Sequence, residues 1–359
     1  MKSYNEILSD VTKTATKIPQ SDYLDTGKYR IFDQGKEYSV GFSNDEQGVV
    51  SDYPYIIFGD HTRVVKYVNE PCFIGADGVK LLKVINKDFN PRFVYYNILA
   101  KPIENQGYAR HFKFLKEIQF TEKTLSVQTN IVTELDTIQS AIDNKKQQLS
   151  LLDEAVKSRF IEMFGDILAG KYKFETRKLG EISEVGSSHR VFTTEFVEHG
   201  IPFYRGTEIG ELANGKIPQK PYYISEEHYQ RLIAQDSKPQ IGDLLMPSIC
   251  NKGQVWMVDT EEPFYYKDGR VLSISPNREI YNSKYLQYFM REKTLVEYPK
   301  LGSGSTFAEF KIFLLKDIDI LTPPLSLQND FASFVQQIDK SKFEIANSLK
   351  RLYNKGMLS

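Results

Sequence analysis

The feature that most limits how this chain can fold is a repetition. The stretch "TLSVQTNI" carries Leu125-Ser126-x-Gln128, and "TPPLSLQNDF" carries Leu325-Ser326-x-Gln328, 200 positions later. Upstream the copies stay in step without a gap. Leu115, Lys116 and Ile118 of "FKFLKEIQF" recur as Leu315, Lys316 and Ile318 of "IFLLKDIDI", with Asp317 in place of Glu117. Downstream it is the pattern that repeats: Ile131, Leu135, Ile138, Leu149 and Leu152 fall over Phe331, Val335, Ile338, Leu349 and Leu352. A solenoid repeats every ~20–50 residues, so this period excludes one. It calls for two copies of a larger unit, each a domain followed by a helix.

The helices are legible from their spacing. Ile131, Leu135, Ile138, Ile142, Leu149, Leu152, Val156, Phe160 and Met163 step at the heptad period, with Lys145 in the one slot where a core residue is missing. The second run passes through Phe331, Val335, Ile338, Ile345, Leu349 and Leu352, with Lys342 in its skipped slot. Neither run contains Pro or Gly, while Pro323-Pro324 and Gly165 stand outside as stops. Such seams pack on a partner helix. Roughly 36 residues at ~1.5 Å each span about 54 Å, longer than a small domain is wide. Two of them in one chain are expected to form an antiparallel coiled coil, a spacer with a domain at each end.

The remainder reads as short strands broken by Gly, Pro, Asn and Asp, such as "YPYIIFGD", "IPFYRGTEI" and "DGRVLSISP". Landmarks recur in order: Gly59-Asp60 with Gly242-Asp243, Asp77-Gly78 with Asp268-Gly269, and "NPRFVYYNIL" with "NSKYLQYFM" as a short helix with an aromatic face. The expected class is α+β, with two mixed α/β domains joined by two long helices in a pseudo-twofold repeat. The expected segments are 1–122, 123–170, 171–324 and 325–359. The second domain is longer, so one scaffold carries divergent loops, as suits two modules that read different things. With 359 residues, 41% apolar and 13% aromatic, two packed cores are feasible. A net charge of −1 rules out a uniformly basic coat, although 46 Lys and Arg can still cluster. Two cysteines, Cys72 and Cys250, suggest no disulfide framework and a cytoplasmic location.

A search for catalytic machinery finds none. The five histidines, His61, His111, His189, His199 and His228, lack metal-ligand spacing. "GSGS" (Gly302–Ser305) has no Walker lysine, and suits a loop touching a nucleic-acid backbone better than a phosphate cradle. "NPRF" resembles the Asn-Pro-Pro-aromatic loop of amino-methyltransferases, but Arg92 replaces the second Pro. Its twin is "NSKY", and Asn90 reads as a helix N-cap.

Taken whole, the chain resembles the specificity (S) subunit of type I restriction-modification enzymes. The carriers are "LSLLDEAVKSRFIEMFGD" (Leu149–Asp166), "RKLGEISEV" (Arg177–Val185, matched by "YNEILSDV" at Tyr4–Val11), "IPFYRGTEI", "GDHTRVVKYV" (Gly59–Val68) and the two "LSVQ/LSLQ" junctions. The resemblance implies two target-recognition domains, each reading half of a bipartite DNA sequence, with the helices fixing the unread gap. It implies docking of two modification subunits, which bring S-adenosylmethionine and methylate adenine. Restriction subunits then join to cleave DNA with ATP and Mg, while the S subunit itself catalyses nothing. A ~40–55 Å spacer suits major grooves a turn or more apart, a turn being ~34 Å. Because the first domain opens almost at Met1, a segment closing a pseudo-symmetric ring is expected to be short or missing.

Base reading needs Arg, Lys, Asn or Gln on loops, with Ser, Thr and Lys on phosphates. The candidates are Lys36, His61, Arg63, Lys66, Asn105, Gln106 and Arg110 in the first domain. In the second they are Arg205, Thr207, Asn251, Lys252, Gln254, Arg270, Ser303 and Ser305. Tyr55, Tyr95, Tyr96, Tyr285 and Tyr288 read as packing residues. Two other readings use the same features: a coiled-coil adaptor that binds only proteins, and a self-sufficient methyltransferase, for which no S-adenosylmethionine site is visible.

Overall fold

The computed structural model describes residues 1–75, 78–107, 109–235, 238–301 and 308–358, with the side chains of 356–358 left aside. The chain divides into two compact units, Met1–Lys146 with Ala346–Ser359, and Gln147–Ile345.

In the first unit a one-turn helix α1 (Tyr4–Ile7) leads into β1 (Leu8–Asp10). Then come β2 (Tyr29–Phe32), β3 (Gly41–Ser43), β4 (Tyr55–Gly59), β5 (Val65–Val68), β6 (Cys72–Ile74) and β7 (Val79–Val84). Helices α2 (Pro91–Leu99) and α3 (Phe112–Leu115) precede the long α4 (Leu125–Phe164). The main sheet is antiparallel in the order β1-β7-β4-β5, and a smaller one runs β3-β2-β6 with β2 and β6 parallel. Every residue of β4 is buried. Ile56 and Phe58 enter one apolar cluster with Phe93 and Phe112, while Ile57 enters another with Phe32 and Cys72. A strand covered on both faces reads as an unbroken apolar run, which is why "YIIFG" does not alternate.

In the second unit a short hairpin, β8 (Gly165–Asp166) and β9 (Lys171–Tyr172), follows α4. Next come β10 (Thr176–Lys178), α5 (Leu179–Ile182), β11 (Ser183–Gly186), β12 (Phe196–Val197), β13 (Ile201–Tyr204), α6 (Gly206–Ala213), β14 (Tyr222–Ile224) and α7 (Glu226–Ile233). The rest is β15 (Leu244–Pro247), β16 (Trp256–Met257), β17 (Tyr265–Tyr266), β18 (Val271–Pro276), α8 (Ser283–Glu297), α9 (Ile312–Lys316), β19 (Asp319–Leu321) and α10 (Leu325–Leu358). Its main sheet, β11-β18-β15-β16, repeats the first strand for strand. Its smaller sheet, β12-β14-β13-β17, keeps the parallel pair as β13 and β17 and gains α6, α7 and one strand, β12.

Ladder register sets the equivalences and revises two landmark pairs. Leu82 faces Asp10 and Ile56, and Ile274 faces Val185 and Leu244. Gly59-Asp60 therefore corresponds to Pro247-Ser248, since Gly242-Asp243 stands at the opposite end of its strand. The hydrogen bond Asp60 N–H to Gly78 O (2.7 Å) matches Ser248 N–H to Arg270 O (2.9 Å), so Gly78 pairs with Arg270 and not with Gly269. Gly-Asp and Asp-Gly are turn pairs that arise at either end of any strand, so letters alone misaligned them. Asp77 lies outside the described residues.

The repeated junction has a physical cause. Gln128 is fully buried at the start of α4: its Oε1 accepts Asn90 N–H at 2.8 Å, and its Nε2 donates to Asp88 O and Lys123 O. Gln328, equally buried, accepts Asn282 N–H at 3.0 Å and donates to Ile280 O and Pro323 O. Asn90 and Asn282 in turn cap α2 and α8 through their side chains. A buried amide is stable only when its donors and acceptor are all used, and glutamine here meets three backbone groups.

Within the second unit Phe331 packs on Phe160 and Phe164, at 5.3 and 5.6 Å between centroids, and Lys342 pairs with Asp153. Within the first, the Lys146 amino group lies 5.9 Å from the Tyr353 ring. One index rises as the other falls, so the long helices run antiparallel. Ile138, Ile142, Phe331 and Val335 are buried; Ile131, Leu135, Leu149, Leu152, Ile338, Ile345, Leu349 and Leu352 are half-buried. The seam also takes in Phe164, which is 0% exposed one residue beyond the expected Met163, as 3.6-residue winding drifts past a strict heptad.

Candidate nucleic-acid interface

In each unit the loops meet at one end of the main sheet, beyond the last residue of β4 or β15. In the first unit Asp60 is the hub. Its carbonyl accepts His111 N–H at 2.8 Å, and its Oδ1 accepts Phe112 N–H at 2.8 Å. His111 is 0% exposed. Its Nε2 accepts Gln106 N–H at 3.2 Å, which leaves the proton on Nδ1 to donate to Asp60 O at 3.0 Å. Gln34 Oε1 accepts His61 N–H at 3.2 Å, and Arg63 donates to Ile103 O at 3.2 Å. Segments around residues 34, 61, 78 and 106 are thereby knitted into one surface. Lys36, His61, Asn105, Gln106 and Arg110 stand exposed on or beside them.

Arg63 and Lys66 sit differently. Arg63 is half-buried in a left-handed turn, with φ of 63°. Lys66 is 5% exposed and faces Asp33 across 3.4 Å. Burial lowers its ammonium pKa while Asp33 opposes that shift. Lys66 thus belongs to the support beneath the surface.

In the second unit Ser248 is the hub. Phe310 N–H donates to Ser248 O at 2.8 Å, matching the His111 bond. Arg270 donates to Glu309 Oε2 at 2.7 Å, Ser248 Oγ reaches the same oxygen at 3.4 Å, and Lys311 pairs with Glu309. Those bonds, led by Lys311, hold the Glu309 carboxyl below the usual carboxylate range. The turn with exposed Asn251 and Lys252 is pinned by Lys252 N–H to Gln254 Oε1, at 3.0 Å, and by Gly253. At Gly253 φ is +64°, and a Cβ would fall 2.7 Å from Arg291 O, so no other residue fits.

Helix α6 begins at the same place. A Cβ on Gly206 would lie 3.2 Å from Pro247 Cβ, so glycine brings the helix start close to the strand end. Arg205 precedes it and donates to Glu208 through Nε at 3.1 Å and Nη2 at 2.6 Å, with its guanidinium 4.5 Å from the Tyr222 ring. Burial would raise the Glu208 pKa, but the bonds from Arg205 prevail and hold it low. Arg205 is half-buried and already engaged, whereas Thr207 and Arg270 are exposed. Ser303 and Ser305 lie outside the described residues.

Gln34, Asp60, His111, Glu309, Gln128 and Gln328 do the organising and were not among the candidate site residues. For the two glutamines a signal existed, the repeated "LSxQ". For the others, single polar letters gave none. Tyr55 and Tyr285 are buried, and Tyr95, Tyr96 and Tyr288 half-buried, as packing residues should be. Both cysteines are free and buried, their thiols pushed up to about 12 (Cys72) and about 11 (Cys250) by burial. Among the described residues no His, Cys, Asp or Glu group could hold a metal, and no helix is long and apolar enough to cross a membrane.

Residues 171–352 match the family described as Type I restriction modification DNA specificity domain. Over 243 residues the chain is 26% identical to the Type I restriction enzyme EcoR124I/EcoR124II specificity subunit of Escherichia coli, spanning 61% of this chain and 58% of that protein. The crystal structure of the type I restriction-modification S subunit from M. genitalium superposes with a TM-score of 0.62 at 14% identity, covering 99% of this chain and 93% of that one. At that identity the likeness speaks for the fold.

Proposed function

This chain belongs to the type I restriction-modification DNA specificity family, and from that membership we infer that it is the subunit that tells such a complex where on DNA to act. Each unit reads one half of a bipartite target on double-stranded DNA, and the long helices set the gap. Two modification subunits dock along the helices, carry S-adenosylmethionine and methylate adenine. Restriction subunits complete the assembly and supply ATP- and Mg-dependent cleavage. The chain adds no chemistry of its own and works where the DNA is, in the cytoplasm.

One observation carries this reading: a scaffold repeated strand for strand presents two unlike sets of exposed polar side chains at the same sheet end. Duplication of the support with divergence of the tips is what reading two different half-sites requires. Exposed Asn105 and Gln106 in one unit, and Asn251 and Arg270 in the other, are of the types that read base edges. Lys36, Lys252 and Thr207 suit phosphates.

The test is a map of methylated adenine in cells holding the cognate modification subunit, with and without this chain. A bipartite motif of fixed gap that appears only with the chain is the expected result. Absence of new methylation despite co-purification with the modification subunit would leave a protein-only adaptor.

A further inference from the structure

Helix α2 is fastened to α4 at two places. The first is Gln128, which holds the cap of α2. The second lies eight residues on, at Asp136, roughly 12 Å along the helix. Arg92 donates from Nε to Asp136 Oδ1 at 2.8 Å, its Nη2 lies 2.8 Å from the same oxygen, and Tyr96 OH donates to it as well. The guanidinium also lies 4.6 Å from the Tyr67 ring centre, and 5.2 and 5.3 Å from those of Tyr95 and Tyr96. Tyr67 belongs to β5, so this one cation ties the main sheet, α2 and α4 together. Attachment at one point permits rotation; attachment at two fixes an angle.

The second unit meets the same need by other means. Gln328 repeats the first attachment, and Lys284 pairs with Asp339 at 2.8 Å. There, however, α8 rests on an aromatic slab. Tyr285 is buried with Phe160, Phe164 and Phe331, and Tyr288 lies 5.0 Å from Phe160 and 5.1 Å from Phe331. Packing of that kind keeps an angle whether or not the ion pair is present. Around Asp136, among the described residues, α4 offers the half-buried Ile131, Val132 and Leu135 and the buried Ile138, and the three rings that flank Arg92 are themselves only half-buried.

We propose that Arg92, Tyr96 and Asp136 are positioning residues that set how strictly the complex measures the gap between its half-sites, by fixing the angle at which the first sheet rides on its stretch of α4. This deepens the proposed function and rests on it. The full chain, assembled with its modification subunits, should be offered duplexes carrying both half-sites at the native gap and at gaps one base pair shorter and longer. In Asp136→Asn and Arg92→Lys the preference for the native gap should fall about fivefold, with the preferred bases of each half-site unchanged. Tyr96→Phe should give a smaller fall, and Lys284→Ala none. Should the first two fail to assemble, Tyr96→Phe carries the test. An unchanged gap preference in assembled variants, or a loss of base preference equal to the loss of gap preference, overturns the proposal. Failure of the parent complex to methylate any bipartite target overturns the functional reading instead.

Discussion

The two sheet ends solve one problem with different chemistry. The first closes its loops around a buried aspartate and a buried histidine, so its shape depends on hydrogen bonds that water cannot reach. The second closes around Ser248 and Phe310, and leaves its charges, Arg270 with Glu309 and Lys311, at the surface. A surface ion pair contributes only ~0–1 kcal/mol and can be traded for a contact with another molecule, whereas a buried polar network tolerates no partial loss. The first surface is therefore built rigid and the second adjustable.

The largest expected effect tests whether the copies are equivalent where they look identical. Gln128→Leu and Gln328→Leu each strand buried backbone groups, and each should lower stability by about 2–4 kcal/mol in chemical denaturation. A difference of several kcal/mol between them would break the equivalence of the junctions. Next, His111→Phe installs the second copy's solution in the first. It leaves Gln106 N–H without its acceptor, and should cost about 1–3 kcal/mol and weaken binding to one half-site only. A neutral outcome would mean that the loop does not depend on this lock. Arg270→Ala should cost about 1–3 kcal/mol of discrimination at the other half-site and nothing at the first, measured by binding to duplexes altered one half at a time.

A pH titration sharpens the same contrast. The Glu208 carboxyl lies below its unfolded value, so the stability it contributes is complete above about pH 4.5 and lost as pH falls through its folded value. Glu208→Gln should flatten the acid limb of an unfolding-versus-pH curve, and an unaltered limb would remove Arg205–Glu208 from the account. The smallest effect belongs to Lys36→Ala, which should weaken binding to all sequences alike and reduce the salt slope by about one.

Most of the scaffold was legible because periodicity and repetition are carried by many residues at once. The heptad seam and the repeated junction have that property, and the N-cap at Asn90 was legible from the helix pattern that follows it. The surfaces were legible only as a set of exposed polar letters. Lys66 and Arg205 read like Lys36 and Arg270, yet one is buried against Asp33 and the other is engaged by Glu208 three residues on. What separates them is a partner elsewhere in the fold, and single residues do not announce partners. The parallel pairs β2–β6 and β13–β17 were hidden for a related reason, since strands of two to four residues hold too little pattern to name their neighbours.

The chain leaves each copy beside the point where it came in. Lys2 and Phe120 exchange backbone hydrogen bonds at 2.8 and 2.7 Å, and β10 pairs with β19 in the same way. A module whose two ends are stapled together is a cassette. Whatever lies between the staples can be lengthened, as α6, α7 and one extra strand attest, or replaced outright, without shifting the helix that follows. On the proposed function, new specificities arise by exchange of whole blocks, each tolerant of drift inside its borders.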